Sequence, residues 1–396
     1  MRHNRPLAAA LLLAAVNLRL TVAAVPPVLN QIRHTTGLSS AGAGLLTAVP
    51  VFCFGLVALA SPRLIRRFSM GPLLSLTLFT VIGGCIVRLV PAMPPLFLGT
   101  ILLGSGIAVG NVLIPSLIKR DFPHQRVLMT ALYSVALSGG ATIAAGLTVP
   151  IQHALGVDWR VAIALWAVPA MIAVLVWMPH VREEAVRDDG HGAPIPGLWR
   201  DPLAWCVTGF MGLQSFGFYA MLSWLPTIAE AHGVSPSRAG LLLSLASFSG
   251  MVGALTAPSL ERRLGRSSRM LGLCVIVCTA GYTGLLVAPS TATFVWCVLF
   301  GSAQGATLAL ALGYIVARAP DSHHAAHLST MAQSGGYLIA SAAPFAMGAL
   351  HGATGSWTLS IVMLMMILMP MLLTGLVASQ DRFVLDRRRA GAISPG

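Results

Sequence analysis

Arg19 stands near the middle of the first long apolar run, Ala8 to Val25, two residues after Asn17. No Asp or Glu lies at comparable depth in any apolar run of the chain. An arginine at a bilayer centre costs about 2.5–3.5 kcal/mol on insertion scales, and such residues face a cavity or a partner. With no carboxylate to pair it, the partner the chemistry suggests is a substrate bearing negative charge or acceptor atoms. Residues two apart on a helix point about 200° from each other, so Asn17 and Arg19 cannot both face one cavity. We assign Arg19 to the cavity; Asn17 either bonds across to a neighbouring helix or fixes the arginine. The competing role for Arg19 is to cap carbonyls exposed by a kink at Pro26-Pro27. Seven residues, roughly 10 Å along a helix axis, separate the two.

The other polar groups at membrane depth are few. Gln333 and Tyr337, four apart, share one helix face, and Tyr133 lies on the corresponding segment of the first half of the chain. Amides and phenols suit a small planar substrate, offering hydrogen bonds within an aromatic wall; the same groups serve equally as interhelical hydrogen-bond glue. Gln214 and Phe218 form the interior-facing pair of the seventh segment, with Ser215 and Tyr219 beside them. Asn111 is a further cavity candidate. Gln304, amid Gly301-Ser302-Ala303 and Gly305, fits a bridge between packed helices.

Several chemistries are excluded. The only lysine, Lys119, follows Pro-Ser-Leu-Ile rather than a Gly-rich phosphate loop, so nucleotide hydrolysis by that route is out. Gly104, Gly106 and Gly110 sit midway through an apolar stretch, where close helix packing explains small residues. The six Cys lie in apolar segments with no His or carboxylate near Cys274 and Cys278, so they read as small apolar filler. We expect no enzyme activity, metal or cofactor. The twelve acidic residues all lie in loops, tails or helix ends, with Glu230 the nearest to depth, and no His sits at mid-depth. A buried proton relay is therefore unsupported, and facilitated diffusion, exchange and proton binding by the substrate all stay open.

The chain is 396 residues long, 56% hydrophobic and 9% charged, which places it in a membrane. Apolar runs long enough to cross begin near residues 7, 42, 70, 95, 127, 159, 203, 238, 269, 292, 325 and 356. The first runs too long for a signal peptide and carries Asn17 and Arg19. With the N-terminus inside, inner connectors and tails hold 20 basic residues, while the outer connectors hold only Arg33, Arg88, Arg160 and Arg238. The positive-inside rule then predicts cytoplasmic termini, in a bacterial inner membrane. The net charge of +13 clusters in connectors without interleaved aromatics, which excludes a nucleic-acid groove.

The halves are related. Gly37-Leu-Ser39 followed by Ala43-Gly-Leu-Leu46 recurs as Gly233-Val-Ser235 followed by Ala239-Gly-Leu-Leu242. Pro62-x-Leu64-x-Arg66-Arg67 recurs at the same offset as Pro258-x-Leu260-x-Arg262-Arg263, and His153 with Trp159 recurs as His351 with Trp357. The expected organisation is a six-helix half at 1–180, a cytoplasmic linker at 181–201 containing Glu183, Glu184, Asp188 and Asp189, a second half at 202–379 and a tail at 380–396. Two such halves in one orientation describe an all-α membrane protein of twelve transmembrane helices with the major facilitator fold. In that fold helices 1, 4, 7 and 10 line a central cavity and 3, 6, 9 and 12 form the outside. The amides fall on segments 1, 4, 7, 10 and 11, and none falls on the outer four.

The chain resembles the cyanate and 2-nitroimidazole transporter branch of the major facilitator superfamily. The resemblance rests on Asn17-Leu-Arg19, on Gly110-Asn111-Val-Leu-Ile-Pro115 running on to Pro123, on Asp201-Pro202-Leu-Ala-Trp205 and on Met331-Ala-Gln333-Ser-Gly-Gly-Tyr337. Trp224-Leu-Pro226 and the segment 11 string are closer to the 2-nitroimidazole members. The superfamily's loop after helix 2 is degraded to Ser61-Pro-Arg63-Leu-Ile-Arg66-Arg67-Phe68 and lacks its gating Asp. The resemblance implies a monomeric transporter of a small anion or small polar planar compound, embedded in a lipid bilayer. Its site would use Arg19, Asn17, Asn111, Tyr133, Gln214, Phe218, Gln333 and Tyr337. Multidrug efflux is the alternative within transport, disfavoured by an arginine without carboxylates. A ligand-binding membrane sensor is the alternative outside it, disfavoured by the short tail and linker.

Overall fold

A computed structural model describes residues 5–183, 195–289 and 292–386, apart from the side chains of 61–67, 126, 127, 182, 183 and 322. Glu184, Asp188, Asp189 and Arg387 to Arg389 fall outside the described residues, as do the side chains of Arg63, Arg66, Arg67 and Glu183. Twelve long helical elements follow in order: α1 Arg5–Thr36, α2 Ser40–Arg67, α3 Met70–Val87, α4 Met93–Asp121, α5 Arg126–Leu155 and α6 Trp159–Val181. The second set is α7 Pro202–Ala231, α8 Pro236–Leu264, α9 Ser267–Val287, α10 Thr293–Ala317, α11 Ser322–Thr354 and α12 Thr358–Ala378. Each begins within three residues of the start read from hydropathy. In hydrocarbon every backbone group must find its partner inside the segment, so a long apolar run is a helix almost without choice.

The connectors show why the helices stop where they do. Gly37 ends α1 at φ 72°, and its repeat counterpart Gly233 follows α7 at φ 84°, a backbone region that favours glycine in both copies. Asp158, Asp201 and Asp321 cap α6, α7 and α11 by accepting from the amides of Val161, Ala204 and His324. These carboxylates are thus spent at helix ends. Within α1, the helix from Arg5 to Ala23 gives way to a 3₁₀ turn at Pro26–Val28 and resumes at Leu29. Proline supplies no N–H and enforces the break.

Among the described residues, ten of the helices are long and apolar enough to cross a membrane by length and composition. The other two are α7 and α11, whose mean hydropathy is lowered by Gln214, Ser215 and Tyr219 and by Gln333, Ser334 and Tyr337. Enclosure replaces hydropathy there. From Phe210 to Ala229 only Leu213 and Phe218 of α7 keep partial exposure, so protein rather than lipid surrounds it.

Packing repeats as the sequence does. Within the first half α1 packs on α5 and α6, α4 on α2 and α3, and α3 on α6. Within the second, α7 packs on α11 and α12, α10 on α8 and α9, and α9 on α12. The halves meet through α2 on α11 and α5 on α8, which are symmetry counterparts of each other. Small residues allow the closest approaches: a Cβ on Gly305 of α10 would lie 1.8 Å from the Gly250 carbonyl of α8.

We call the face carrying both termini and the linker the terminal side, and the opposite face the far side. Across the halves Ser40, Gly44 and Gly55 of α2 meet Gly348, Pro344 and Leu338 of α11. On the other seam Gly240 and Ser244 of α8 meet Ala145 and Thr142 of α5, with Ser244 Oγ donating to the Thr142 carbonyl at 2.9 Å. All of these contacts lie between the middle of the bundle and the far side. The conformer is closed on the far side.

Candidate functional site

Arg19 leaves α1 toward α7, and its Nη1 donates to the Tyr219 hydroxyl at 2.8 Å across the two halves. The guanidinium carbon lies 5.9 Å from the Phe54 ring centroid and 5.7 Å from that of Tyr219. Tyr337 closes the group, edge-on to Phe54 at 5.8 Å and to Tyr219 at 6.2 Å. Tyr337 and Tyr133 both lie within electrostatic reach of Arg19. Four helices, α1, α2, α7 and α11, thus converge on one half-buried guanidinium. Ring quadrupoles contribute about 0.5–2 kcal/mol per cation–π contact, favouring the cation without neutralising it. Among the described residues no carboxylate pairs with Arg19; its hydrogen-bonding neighbours are the phenols of Tyr219 and Tyr337. A guanidinium has five N–H donors, so most of them remain for another acceptor.

The other expected site residues divide into two groups. Asn111 and Tyr133 adjoin each other, the Asn111 carbonyl facing the Tyr133 hydroxyl at 3.5 Å, while Asn111 Nδ2 is buried without a partner. Gln333 sits one turn from Tyr337 toward the terminal side, half-buried, donating to Ser329 Oγ at 2.8 Å. Phe218 packs edge-on against Tyr219 at 5.1 Å.

Asn17 and Gln214 are placed elsewhere. Asn17 is fully buried and donates to the carbonyls of Leu13 and of Pro169 in α6, at 2.8 and 3.2 Å, fastening α1 within its own half. This is the bond to a neighbouring helix that the sequence offered as one alternative for Asn17, which points about 200° away from Arg19. Gln214 is buried too, donating to Ser215 Oγ and the Met211 carbonyl of its own helix. The α7 residue that reaches Arg19 is Tyr219. With α7 enclosed on nearly every side, helical spacing alone did not distinguish the face toward α1. Arg19 also does not cap the Pro26-Pro27 break, since its bond goes to Tyr219. Gln304 donates to the Tyr282 hydroxyl at 3.0 Å, tying α10 to α9.

Three functional candidates were not among the expected site residues. Phe54 carries no signal, being one phenylalanine in an apolar run. Tyr219 was visible as a phenol at depth. Arg88, expected in an outer connector, is 2% exposed; its Nε and Nη2 lie 3.2 and 2.9 Å from Thr100 Oγ1, its only side-chain hydrogen-bond partner among the described residues. Gly99 makes the room, because a Cβ there would sit 2.8 Å from Arg88 Cγ.

On the far side a vestibule of about 720 Å³ lies over the closed seam, lined among others by Asn30, Arg33, Asp158, Glu230, His351 and Trp357. Asn30 Nδ2 of α1 donates to Glu230 Oε2 of α7 at 2.5 Å, the second hydrogen bond joining these two helices across the halves. A charge-assisted bond contributes about 1.5–3 kcal/mol, much of it lost where water competes. Replacing Glu230 by Ala is expected to loosen this closure. Labelling of a cysteine at Thr227 by an impermeant maleimide from the far side should then rise about fivefold or more, for a loss near 1 kcal/mol.

The family model for the Major Facilitator Superfamily matches residues 7–344 and 227–392. The chain belongs to the Major Facilitator Superfamily. Within it, the chain is 36% identical over 378 residues to the 2-nitroimidazole transporter of Escherichia coli, covering 95% of this chain and 96% of that one. It is 30% identical over 351 residues to the cyanate transport protein CynX of the same organism, covering 88% and 90%. Facilitator structures share its fold. A bacterial homologue of the human lysosomal transporter Spinster, inward-facing and unoccupied, superposes with a TM-score of 0.77 at 16% identity, over 97% of this chain and 99% of that one. A D-xylose–proton symporter gives 0.73 at 13% identity, over 95% and 97%. The chain is therefore a multi-pass membrane transporter of this superfamily.

Proposed function

We propose that this facilitator moves a small anion, or a small planar compound rich in acceptor atoms, by rocking its halves about Arg19. The observation that carries the reading is the half-buried guanidinium at the meeting of the halves, ringed by Phe54, Tyr219 and Tyr337, with donors free and no carboxylate. Substrate atoms would accept from Arg19 and its phenol neighbours while the rings cover the faces of a planar ligand. Tyr133, Asn111 and Gln333 would extend the pocket toward the terminal side, and Phe218 would support Tyr219. The relatives that transport cyanate and 2-nitroimidazole support a substrate of this size and shape. No catalytic role is proposed.

The excess of basic residues on the terminal side supports cytoplasmic termini in a bacterial inner membrane, which makes the closed far side the outer one. The purified protein, reconstituted alone and as a monomer, tests the reading. Counterflow of labelled cyanate or 2-nitroimidazole into preloaded vesicles is expected. Vesicles that exchange neither compound refute it.

A further inference from the structure

Arg88 is as demanding a residue as Arg19, and the site described above does not use it. It is 2% exposed, and among the described residues it has no carboxylate partner. Its side-chain hydrogen bonds among the described residues all go to one hydroxyl, Thr100 Oγ1. A buried guanidinium held by a single neutral acceptor leaves most of its donors and all of its charge uncompensated. A brace between α3 and α4 does not require a cation, since these helices already meet through Gly84 and Gly99.

The place to which it points gives the charge a use. Arg88 lines a small void of about 10 Å³ with Tyr219, Ser223, Thr47, Pro26 and Leu222. The polar groups on that wall are a guanidinium and hydroxyls, and the rest is apolar. Thr47 is turned back onto the carbonyls of Ala43 and Gly44, whereas the buried Ser223 hydroxyl bonds to none of the described residues. The volume is about that of one water probe, too small for a substrate in this conformer. Tyr219 is common to both places: its hydroxyl is held by Arg19, and its side chain forms part of the void's wall. The phenol therefore stands between a half-buried and a buried arginine, neither of them paired with a carboxylate among the described residues. The Pro26-Pro27 break of α1 adjoins the void, where a change of helix path would enlarge it.

We propose that Arg88 is a second anion-binding station, with Ser223, on the far side of Arg19, opened when Tyr219 leaves the Arg19 guanidinium. The assignment rests on the reading of Arg19 as the first station. A substrate that displaces the Tyr219 hydroxyl from Arg19 frees the phenol to move. The same motion then presents the next cation as the far side opens. Two stations in line let a bound anion leave the first without facing bare hydrocarbon.

The experiment compares Arg88→Gln, Ser223→Asp and Arg19→Gln in the full-length protein, using cyanate and 2-nitroimidazole as probes. Equilibrium binding to purified protein and counterflow in vesicles are read on the same preparations, with the melting transition as a check of folding. Arg88→Gln should bind within about threefold of wild type and exchange at least about tenfold more slowly, the loss expected for one charged hydrogen-bond partner. Ser223→Asp places a carboxylate on the wall of the void that Arg88 lines and should slow exchange as much while keeping or raising the melting temperature. That second variant decides the matter where Arg88→Gln does not fold. Wild-type exchange in Ser223→Asp, or in folded Arg88→Gln, with binding lost in Arg19→Gln, overturns the second station and leaves the first. Wild-type binding of both probes by Arg19→Gln, or no exchange of either probe by wild type, overturns both.

Discussion

Arg19→Ala is expected to lower affinity for the transported compound by roughly 10- to 100-fold and to bring counterflow close to that of empty vesicles. The size follows from losing hydrogen bonds made by a charged donor, about 1.5–3 kcal/mol each, at about 1.4 kcal/mol per factor of ten. Removing the guanidinium also removes the Arg19–Tyr219 bond across the halves, so the variant should show altered conformational balance as well as weak binding. Arg19→Lys separates charge from geometry. An ammonium keeps the cation but not the planar fork, so it should recover part of the affinity for a monodentate anion and little for a planar one. Binding is read by ligand-induced shift of the melting temperature and transport by counterflow. Unchanged affinity and rate in Arg19→Ala would remove Arg19 from the site.

Gly44→Val carries the second large effect, and it acts without touching the site. A Cβ at position 44 would lie 2.3 Å from the Pro344 carbonyl oxygen and 2.9 Å from Phe345 Cα, both backbone atoms of α11 that no rotamer change can move. The clash exists only while α2 and α11 are closed on the far side. Overpacking costs about 1–3 kcal/mol, which shifts a two-state equilibrium by roughly 5- to 150-fold. The variant should fold, bind from the far side and fail to cycle. Far-side cysteine labelling should rise severalfold as counterflow falls below about a tenth of wild type. A variant that cycles normally would mean that this seam does not close during transport. Gly240, whose Cβ would lie 2.6 Å from the Ala145 carbonyl, makes the same close approach on the opposite seam.

The architecture was legible because its causes are local. A helix in lipid is specified by the length of an apolar run, and a duplication by two motifs at one offset. Neither needs a partner elsewhere in the chain. Gly37 and Gly233 show the match at the level of single dihedrals: the same residue type at the same offset adopts the same positive φ. The importance of Arg19 was legible for a related reason, since an unpaired cation at mid-depth is an energetic anomaly wherever it points.

The tertiary structure decided where those groups point and what they meet. Tyr219 lies 200 residues from Arg19 in the chain, and no local pattern separates it from Phe218 on an α7 enclosed by protein on almost every side. Phe54 is indistinguishable in sequence from phenylalanines that face lipid. Arg88 followed an apolar run into a connector and read as a topology signal. Only the room left by Gly99 and the acceptor on Thr100 turn it inward. Hydropathy is a property of a segment, whereas the pairing of a buried charge belongs to several helices at once. The sequence alone therefore determined the twelve helices, their duplication and the presence of a cation needing a partner; only tertiary packing decided which aromatic rings enclose it and that a second buried cation stands beyond Tyr219.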